Sequence, residues 1–356
     1  MTWLSRLGRH PFFIRLFHWE YWSFGVVYAP IYLSWLWFTL RARSFFFFAA
    51  SNPTIKNGGF LSESKKDIHP LIPQEYLPRT EFFSIPSNPE LVIAEIRRKG
   101  LQFPLIGKPD IGGRGRGIQA LGDESDLRNY VQSSYTDFHI QEFASFKNEI
   151  GIFYYRYPNE KKGHISGIVS KEFLKVVGDG KTSIRALLMK NKRAILQIKK
   201  LEKSNMDMLE IVLPPGEERI VVPYGNHARG AKFLDVTHMS DTTLEETMDR
   251  ICQRISGFYF GRLDIRFRDW EGLRRGKDLI IVEVNGAGAE PTHIYDPEHS
   301  IFYAWKEIIR HLNILCGISI QNHRKGYSYL TVKEGLQMFR EDKLNSKKLA
   351  AMDIGQ

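Results

Sequence analysis

Lys108 is the second residue of the stretch GKPDIGGRGRG, residues 107–117, in which Gly112, Gly113, Gly115 and Gly117 are interleaved with Arg114 and Arg116. A surface turn needs one or two glycines. A phosphate cradle needs several, because backbone N–H groups must approach oxygens with no Cβ in the way. Two later runs, GRLDIRF and LIIVEVNGAG, read as apolar strands carrying Arg262, Asp264, Glu283 and Asn285. Strand periodicity places Arg262 with Asp264 on one face and Glu283 with Asn285 on one face. A buried carboxylate needs a counter-charge, and a metal supplies one. Carboxylate and amide oxygens on adjacent strands form hard-oxygen sites for Mg²⁺, which usually sits on one or two carboxylates and nucleotide phosphates. Each signal has a plainer reading when taken singly. GGRGRG alone is a mobile or polyanion-binding surface loop, and Asp264 alone is an ion-pair partner for Arg262 or Arg266. Behind GKPD and upstream of the later carboxylates, the loop reads as a cradle.

The elements that must position these groups follow from the rest of the chain. Its 356 residues suffice for two or three lobes, and 43% hydrophobic with 25% charged residues describe a folded protein rather than a disordered one. The class is α/β (α+β). Asn88, Pro89 and Gly100 sign a helix over 88–100, FPLIGKPD is a strand, and DESDLRNYVQSS a capped helix. FHIQEFA, NEIGIFYYRY and HISGIVSKEF read as strands. Residues 182–204 are helical and basic, a solvated face more often than a docking one. TTLEETMDRICQRISGFYF and SIFYAWKEIIRHLNILC are helices, and the tail from Asn322 is a loosely attached helix or extension. SFFFFAA, residues 44–50, reads as a buried strand, and the GDG at 178–180 as a tight turn. His227 and His293 are more commonly solvated or satisfied than ligands. Cys252 and Cys316 lack metal spacing and read as reduced, buried thiols. The net charge of +10 suits nucleic acid, anionic lipid or phosphorylated small molecules. No nucleic-acid-binding signature is present, which favours the last two.

The first fifty residues hold the aromatic excess. From Tyr21 to Leu40 no residue is charged, and roughly twenty such residues could span a bilayer. Against a span, Pro30 sits mid-run, Trp and Tyr occur throughout, and arginines flank both sides (Arg6, Arg9, Arg15; Arg41, Arg43). The preferred reading is contact of residues 1–43 with a membrane surface on the cytoplasmic side. A single span near 21–40 and an arm packed on protein are the alternatives.

Taken together, the lysine strand, glycine loop, QEF and later Asp–Glu–Asn set resemble the ATP-grasp superfamily of ligases over roughly residues 60–315. VVGDGKTSIRALLMKNKR and YGNHARGAKFLDVTHMSD resemble the ligase domain of cyanophycin synthetases. GRLDIRF and VEVNGAGAEPTH resemble the D-alanine–D-alanine ligases. The resemblance implies an ATP-grasp fold of two α+β lobes: small lobe about 88–142 and large lobe about 143–320. A short preceding lobe (44–87) and a basic extension (321–356) would flank it. It implies that Lys108 reaches the α- and β-phosphates, with Lys65 or Lys66 assisting. Gly112, Gly113, Arg114, Gly115 and Gly117 would form the lid. Gln141, Glu142 and Phe143 would read adenine, and Glu149 would hold the ribose. Asp264, Glu283 and Asn285 would bind two Mg²⁺, with Mn²⁺ a substitute, and Arg262 would steady the transferred phosphate. Lys171 stands where the cyanophycin-type pattern has an arginine near the substrate, and Asn226, Arg229 and Gly230 where it has a substrate loop. That loop reads NHARGA here, the early lobe is short and the hydrophobic arm is an addition. These departures bear on the substrate more than on the fold. The implied activity is ATP-dependent joining of a small-molecule carboxylate to an amine through an acylphosphate. A small-molecule kinase and a nucleotide-binding membrane scaffold are the alternatives.

Overall fold

Along residues 9–354, apart from 114, 205, 223, 224 and 226, the computed structural model is a mixed α+β molecule built on antiparallel sheets. Strands β1 (Thr80–Phe83), β2 (Leu105–Pro109), β3 (Gln119–Leu121) and β4 (Phe138–Glu142) form a sheet ordered β1-β4-β2-β3. The remaining strands are β5 (Asn148–Tyr155), β6 (His164–Glu172), β7 (Leu174–Val177), β8 (Glu218–Val222), β9 (Lys232–Asp235), β10 (Phe260–Phe267) and β11 (Leu279–Asn285). Of these, β7 and β8 pair with each other, and the other five form a sheet ordered β11-β10-β5-β6-β9. Six helices matter below: α1 (Ile31–Ala42), α2 (Pro89–Arg98), α3 (Glu124–Gln132), α4 (Thr242–Gln253), α5 (Ile301–Arg324) and α6 (Val332–Ile354).

Each sheet is backed by helices whose apolar residues recur at helical spacing. Asn88 accepts a hydrogen bond from the Glu90 N–H at the start of α2, with Pro89 in its first turn, and Val92, Ile93 and Ile96 are buried. With Leu127, Tyr130 and Val131 of α3 they cover Leu105, Phe138 and Ile140 of the four-stranded sheet. Asp241 caps α4, and Leu244, Met248, Ile251 and Cys252 cover Ile150, Ile152, Leu263 and Ile265 of the five-stranded sheet. Gly107 lies under the Tyr130 ring, where a Cβ would come within 2.7 Å of ring carbons. The residue beside Lys108 is therefore glycine for want of room.

Two expectations and one of the alternatives are corrected. Residues 44–50 do not form a strand: Phe47–Ala50 is a 3-10 turn. Phe46, Phe47 and Phe48 are all buried at consecutive positions, which an alternating strand with one wet face cannot provide. The tail is not loose. Helix α6 buries Met338 and Leu349, Phe339 lies against Phe46, and Lys56 pairs with Glu341. Nor is the run from Tyr21 to Leu40 one helix. It breaks at Ala29 and Pro30 between a short helix, Phe24–Tyr28, and α1. Among the described residues no helix is long and apolar enough to cross a membrane.

Candidate active site

A narrow cleft is lined by Glu283, Val282 and Val284 of β11, by Glu63, Lys65 and His69 ahead of β1, and by Gly112 after β2. Lys108 lies buried close by. Strand β2 carries Lys108 and β4 carries Gln141, one strand over. Lys108 Nζ donates to Gln141 Oε1 at 3.1 Å, and Gln141 Nε2 donates to Thr80 Oγ1 at 2.7 Å. Lys108 is 4% exposed, and among the described residues no carboxylate is bonded to it. Burial, then the neighbouring Lys65, push its ammonium down to about 7. From the opposite sheet Glu283 lies near enough to favour its charged form.

Lys65 bridges the two sides. Its Nζ lies 3.3 Å from the Asp110 carbonyl and 3.6 Å from Glu283 Oε1. This separates the two candidate lysines, since Lys66 turns away and sets its ammonium over the Phe82 ring. Glu63, Lys65, His69, Gly112 and Glu283 line the cleft. Asp110 holds this corner, accepting from the Lys66 N–H at 2.8 Å and lying 2.9 Å from His139 Nε2.

Across the cleft, the register of β10 and β11 sets Asp264 directly opposite Glu283 and Arg262 directly opposite Asn285. All four therefore share one sheet face, as alternation in the sequence requires. Asp264 is not open to solvent. Its Oδ1 accepts from Arg262 Nε at 2.9 Å and lies 3.1 Å from Lys171 Nζ, and its Oδ2 lies 3.2 Å from Arg262 Nη2. Burial would raise this carboxyl, but Arg262 and then Lys171 outweigh it and hold it below the usual range. Lys171 also donates to Glu149 Oε1 at 3.0 Å, and Arg266 Nε lies 3.2 Å from Glu149 Oε2. Lys171 is thus buried between two carboxylates and does not face water. Asp264 and then Glu149 keep it charged against the cost of burial. The cluster sets three cations, Lys171, Arg262 and Arg266, against two carboxylates, Glu149 and Asp264. Counted over these direct pairs the cluster carries one surplus positive charge, with Glu283 and Glu290 acting on Arg262 from further out.

These residues fit a cation unequally. Among the described residues Glu283 is about one third exposed and paired only with Lys65 at 3.6 Å, and Asn285 Nδ2 is buried without a hydrogen-bond partner, a place a ligand oxygen would fill. Asp264 fits least well, because Arg262 and Lys171 already occupy it. Among the described residues no three His, Cys, Asp or Glu side chains are grouped to hold a metal. A metal bound here would need phosphate oxygens for most of its ligands.

The other expected positions divide. Gly115 and Gly117 both have positive φ, 71° and 66°, which glycine alone adopts without strain. Arg229 Nη2 donates to the Gly115 carbonyl at 2.8 Å, so the loop after β8 touches the glycine loop. Helix α6 touches it as well: Asn345 Nδ2 donates to Ile111 O at 3.0 Å, and Leu349 lies beside Gly112. Glu142 is tied to Arg79, and Phe143 lies 5.3 Å under the Arg266 guanidinium. Glu149 would have to leave Lys171 or Arg266 to bind a ribose. Gly113 has open space around its Cα, Gly230 packs against Gln197, and Arg114 and Asn226 lie outside the described residues. His293 is buried 3.5 Å from Glu307 and His227 lies 3.3 Å from Glu20, both outside the cleft lining.

Glu63 was not among the expected residues. Its Oε1 accepts from the Gly286 N–H at 2.7 Å, and burial, with Glu283 adding to it, raises its carboxyl to about 7. Two chain segments cross closely enough to place it there. Ala287 N donates to Gly58 O at 3.0 Å and Gly288 N to Gly59 O at 2.7 Å. A Cβ on Gly59 would stand 2.7 Å from the Gly286 Cα. The only sequence signal was the glycine pair ahead of LSES.

No family model matches the chain, and no curated protein does. Solved structures similar to it include the D-alanine–D-alanine ligase from Bacillus anthracis, at 14% identity and TM-score 0.42, covering 74% of this chain and 69% of that one. A D-Ala:D-Ser ligase from Enterococcus faecalis gives 14% and 0.42, covering 74% and 64%. A bifunctional glutathione synthetase from Pasteurella multocida gives 15% and 0.36, covering 70% of this chain but 35% of that one. These neighbours are ATP-grasp enzymes. The chain thus spans about a third of the synthetase and about two thirds of the ligases. Likeness at this distance carries no argument alone, and the functional case stands on the side chains.

Proposed function

We propose that the protein is an ATP-dependent ligase that joins a carboxylate to an amine. The observation that supports it is the meeting of Lys65 with Glu283 in a cleft that Gly112 of the glycine loop also lines, with buried Lys108 close enough to feel both charges, beside a buried ion-pair cluster. Phosphoryl transfer asks the protein for position and charge neutralisation rather than covalent chemistry. Lys108 and Lys65 would take the phosphates of ATP, and the glycine-loop amides would close over them. Glu283 and Asn285 would hold Mg²⁺, which screens phosphate charge and polarises the transferred group. Arg262 would follow the γ-phosphoryl as its bond to ADP breaks and a bond to the substrate carboxylate oxygen forms. The amine then displaces phosphate, and the closed loop keeps water from the acylphosphate. An amino acid, a peptide or an envelope precursor suits this chemistry.

Hydroxylamine tests the reading. With ATP, Mg²⁺ and mixed carboxylates, a trapped hydroxamate is expected. A stable phosphorylated alcohol would point to a kinase instead, and nucleotide binding without turnover to a scaffold. Either result overturns the ligase assignment.

Lys108 supplies a pH prediction. The free site holds its ammonium at about 7, whereas the unfolded value is 10.5. Between those values the unfolded chain binds a proton that the folded chain lacks, so this residue makes stability rise with pH across that window. Phosphate favours the charged lysine. Binding of MgATP at pH 8 is therefore expected to take up roughly one proton. Calorimetry in buffers of different ionisation enthalpy reads this directly, and Lys108→Met removes it.

A further inference from the structure

Helix α1 is apolar on two faces, and the fold uses only one. Ile31, Phe38 and Ala42 are buried toward the body. Arg41 Nη1 donates to Asn313 Oδ1 of α5 at 2.6 Å, and Trp305 of α5 donates to the Val27 carbonyl at 2.8 Å. Glu20 fixes the start of the arm: buried, it accepts from Arg193 Nη2 at 2.7 Å. The basic helical region therefore docks the arm through Arg193 rather than only facing solvent. The arm is a packed part of the body with its inward contacts already made.

The outward face of α1 carries Leu33, Leu36, Trp37 and Leu40, which are 75%, 55%, 64% and 73% exposed. Their spacing of i, i+3, i+4 and i+7 makes one continuous stripe. Phe24 and Val26 of the helix Phe24–Tyr28 are exposed before it. On α5, which packs against both helices, Phe302 and Ile309 are exposed and Lys306 lies between them. An apolar patch of this extent on a finished fold marks a contact surface. Its charge selects the partner. From residue 9 to 45 the exposed ionisable groups include Arg9, Arg15, Arg41 and Arg43, and the single carboxylate, Glu20, is buried on Arg193. An apolar stripe on an arm that exposes four arginines and no carboxylate complements an anionic lipid surface.

We propose that this face seats the protein on anionic membranes, with α1 lying in the plane of the interface. Twelve residues make a helix roughly 18 Å long, against a hydrocarbon core of roughly 30 Å, so α1 lies in the interface and does not cross it. The inference is independent of the ligase reading.

The test uses the full chain with vesicles of phosphatidylcholine alone or mixed with phosphatidylglycerol. The protein is expected to co-sediment with the mixed vesicles, less so at high salt and less so with phosphatidylcholine alone. Replacing Leu36, Trp37 and Leu40 together by Gln should lower partitioning at least roughly tenfold while leaving the circular dichroism and melting curve unchanged, since these side chains are exposed. Arg15→Gln with Arg43→Gln spares the stripe and should weaken binding to the anionic vesicles only. The proposal falls if the parent stays in the supernatant with the mixed vesicles, or if the triple variant partitions as the parent does. It also falls if the parent is a dimer without lipid and the triple substitution makes it monomeric, because the face would then belong to a second copy.

Discussion

Glu283→Gln is expected to lower turnover by roughly two to four orders of magnitude while the protein stays folded. The substitution keeps the shape of the side chain and removes one negative charge. Structurally little depends on that charge, because the side chain is about one third exposed and its ion pair with Lys65 is long, at 3.6 Å. Partly exposed pairs of this kind contribute little to stability. In the cleft the same carboxylate faces Lys65 and lies near Lys108, where a nucleotide and its cation would add several charges at once. Losing one preorganised charge at a reacting phosphate commonly costs several kcal/mol of barrier, about 1.4 kcal/mol for each tenfold. Steady-state turnover and a melting curve on the same sample check both halves. Equal activity in variant and parent would remove Glu283 from the site.

Asp264→Asn is expected to act in the opposite way, through the fold. Asp264 is buried and accepts from both Arg262 and Lys171. Neutralising it leaves Lys171, Arg262 and Arg266 around Glu149 as the one remaining carboxylate of the cluster. Breaking a buried charge pair from one side costs about 3–5 kcal/mol. Lys171→Met should be milder, about 1–2 kcal/mol, because the Arg262–Asp264 and Arg266–Glu149 pairs survive it. Urea denaturation of the three proteins gives the order. If Lys171→Met is the more damaging, the surplus of positive charge assigned to the cluster is wrong.

The parts of the site legible in the sequence are those set by local periodicity. Alternation within GRLDIRF and LIIVEVN put Arg262, Asp264, Glu283 and Asn285 on common strand faces, and β10 and β11 pair with those residues opposite one another. The lysine ahead of the glycine run was legible for the same reason, since β2 ends at Pro109 and the loop begins there. What stayed hidden depends on contacts between distant segments. Lys171 is placed near the substrate only by the resemblance, and its two carboxylate partners emerge only when β5 and β10 bring Glu149 and Asp264 to it. Glu63 lies in a polar loop without periodicity, and its place depends on Gly59 crossing Gly286. Arg193 in a basic helical run gives no sign that Glu20, 173 residues away, will bury against it. The three buried phenylalanines at 46–48 misled because hydrophobicity alone does not distinguish a buried turn from a buried strand.

The central claim is that one magnesium nucleotide is gripped from both sides, by Lys108 and by Glu283. Calorimetric titration of MgATP into the parent, Lys108→Met, Glu283→Gln and the double variant tests it most directly. Each single change should weaken binding, and the losses should be strongly non-additive, because the two groups hold a common ligand. Undiminished affinity in Lys108→Met, a substitution that keeps the buried side chain's bulk, would contradict the account.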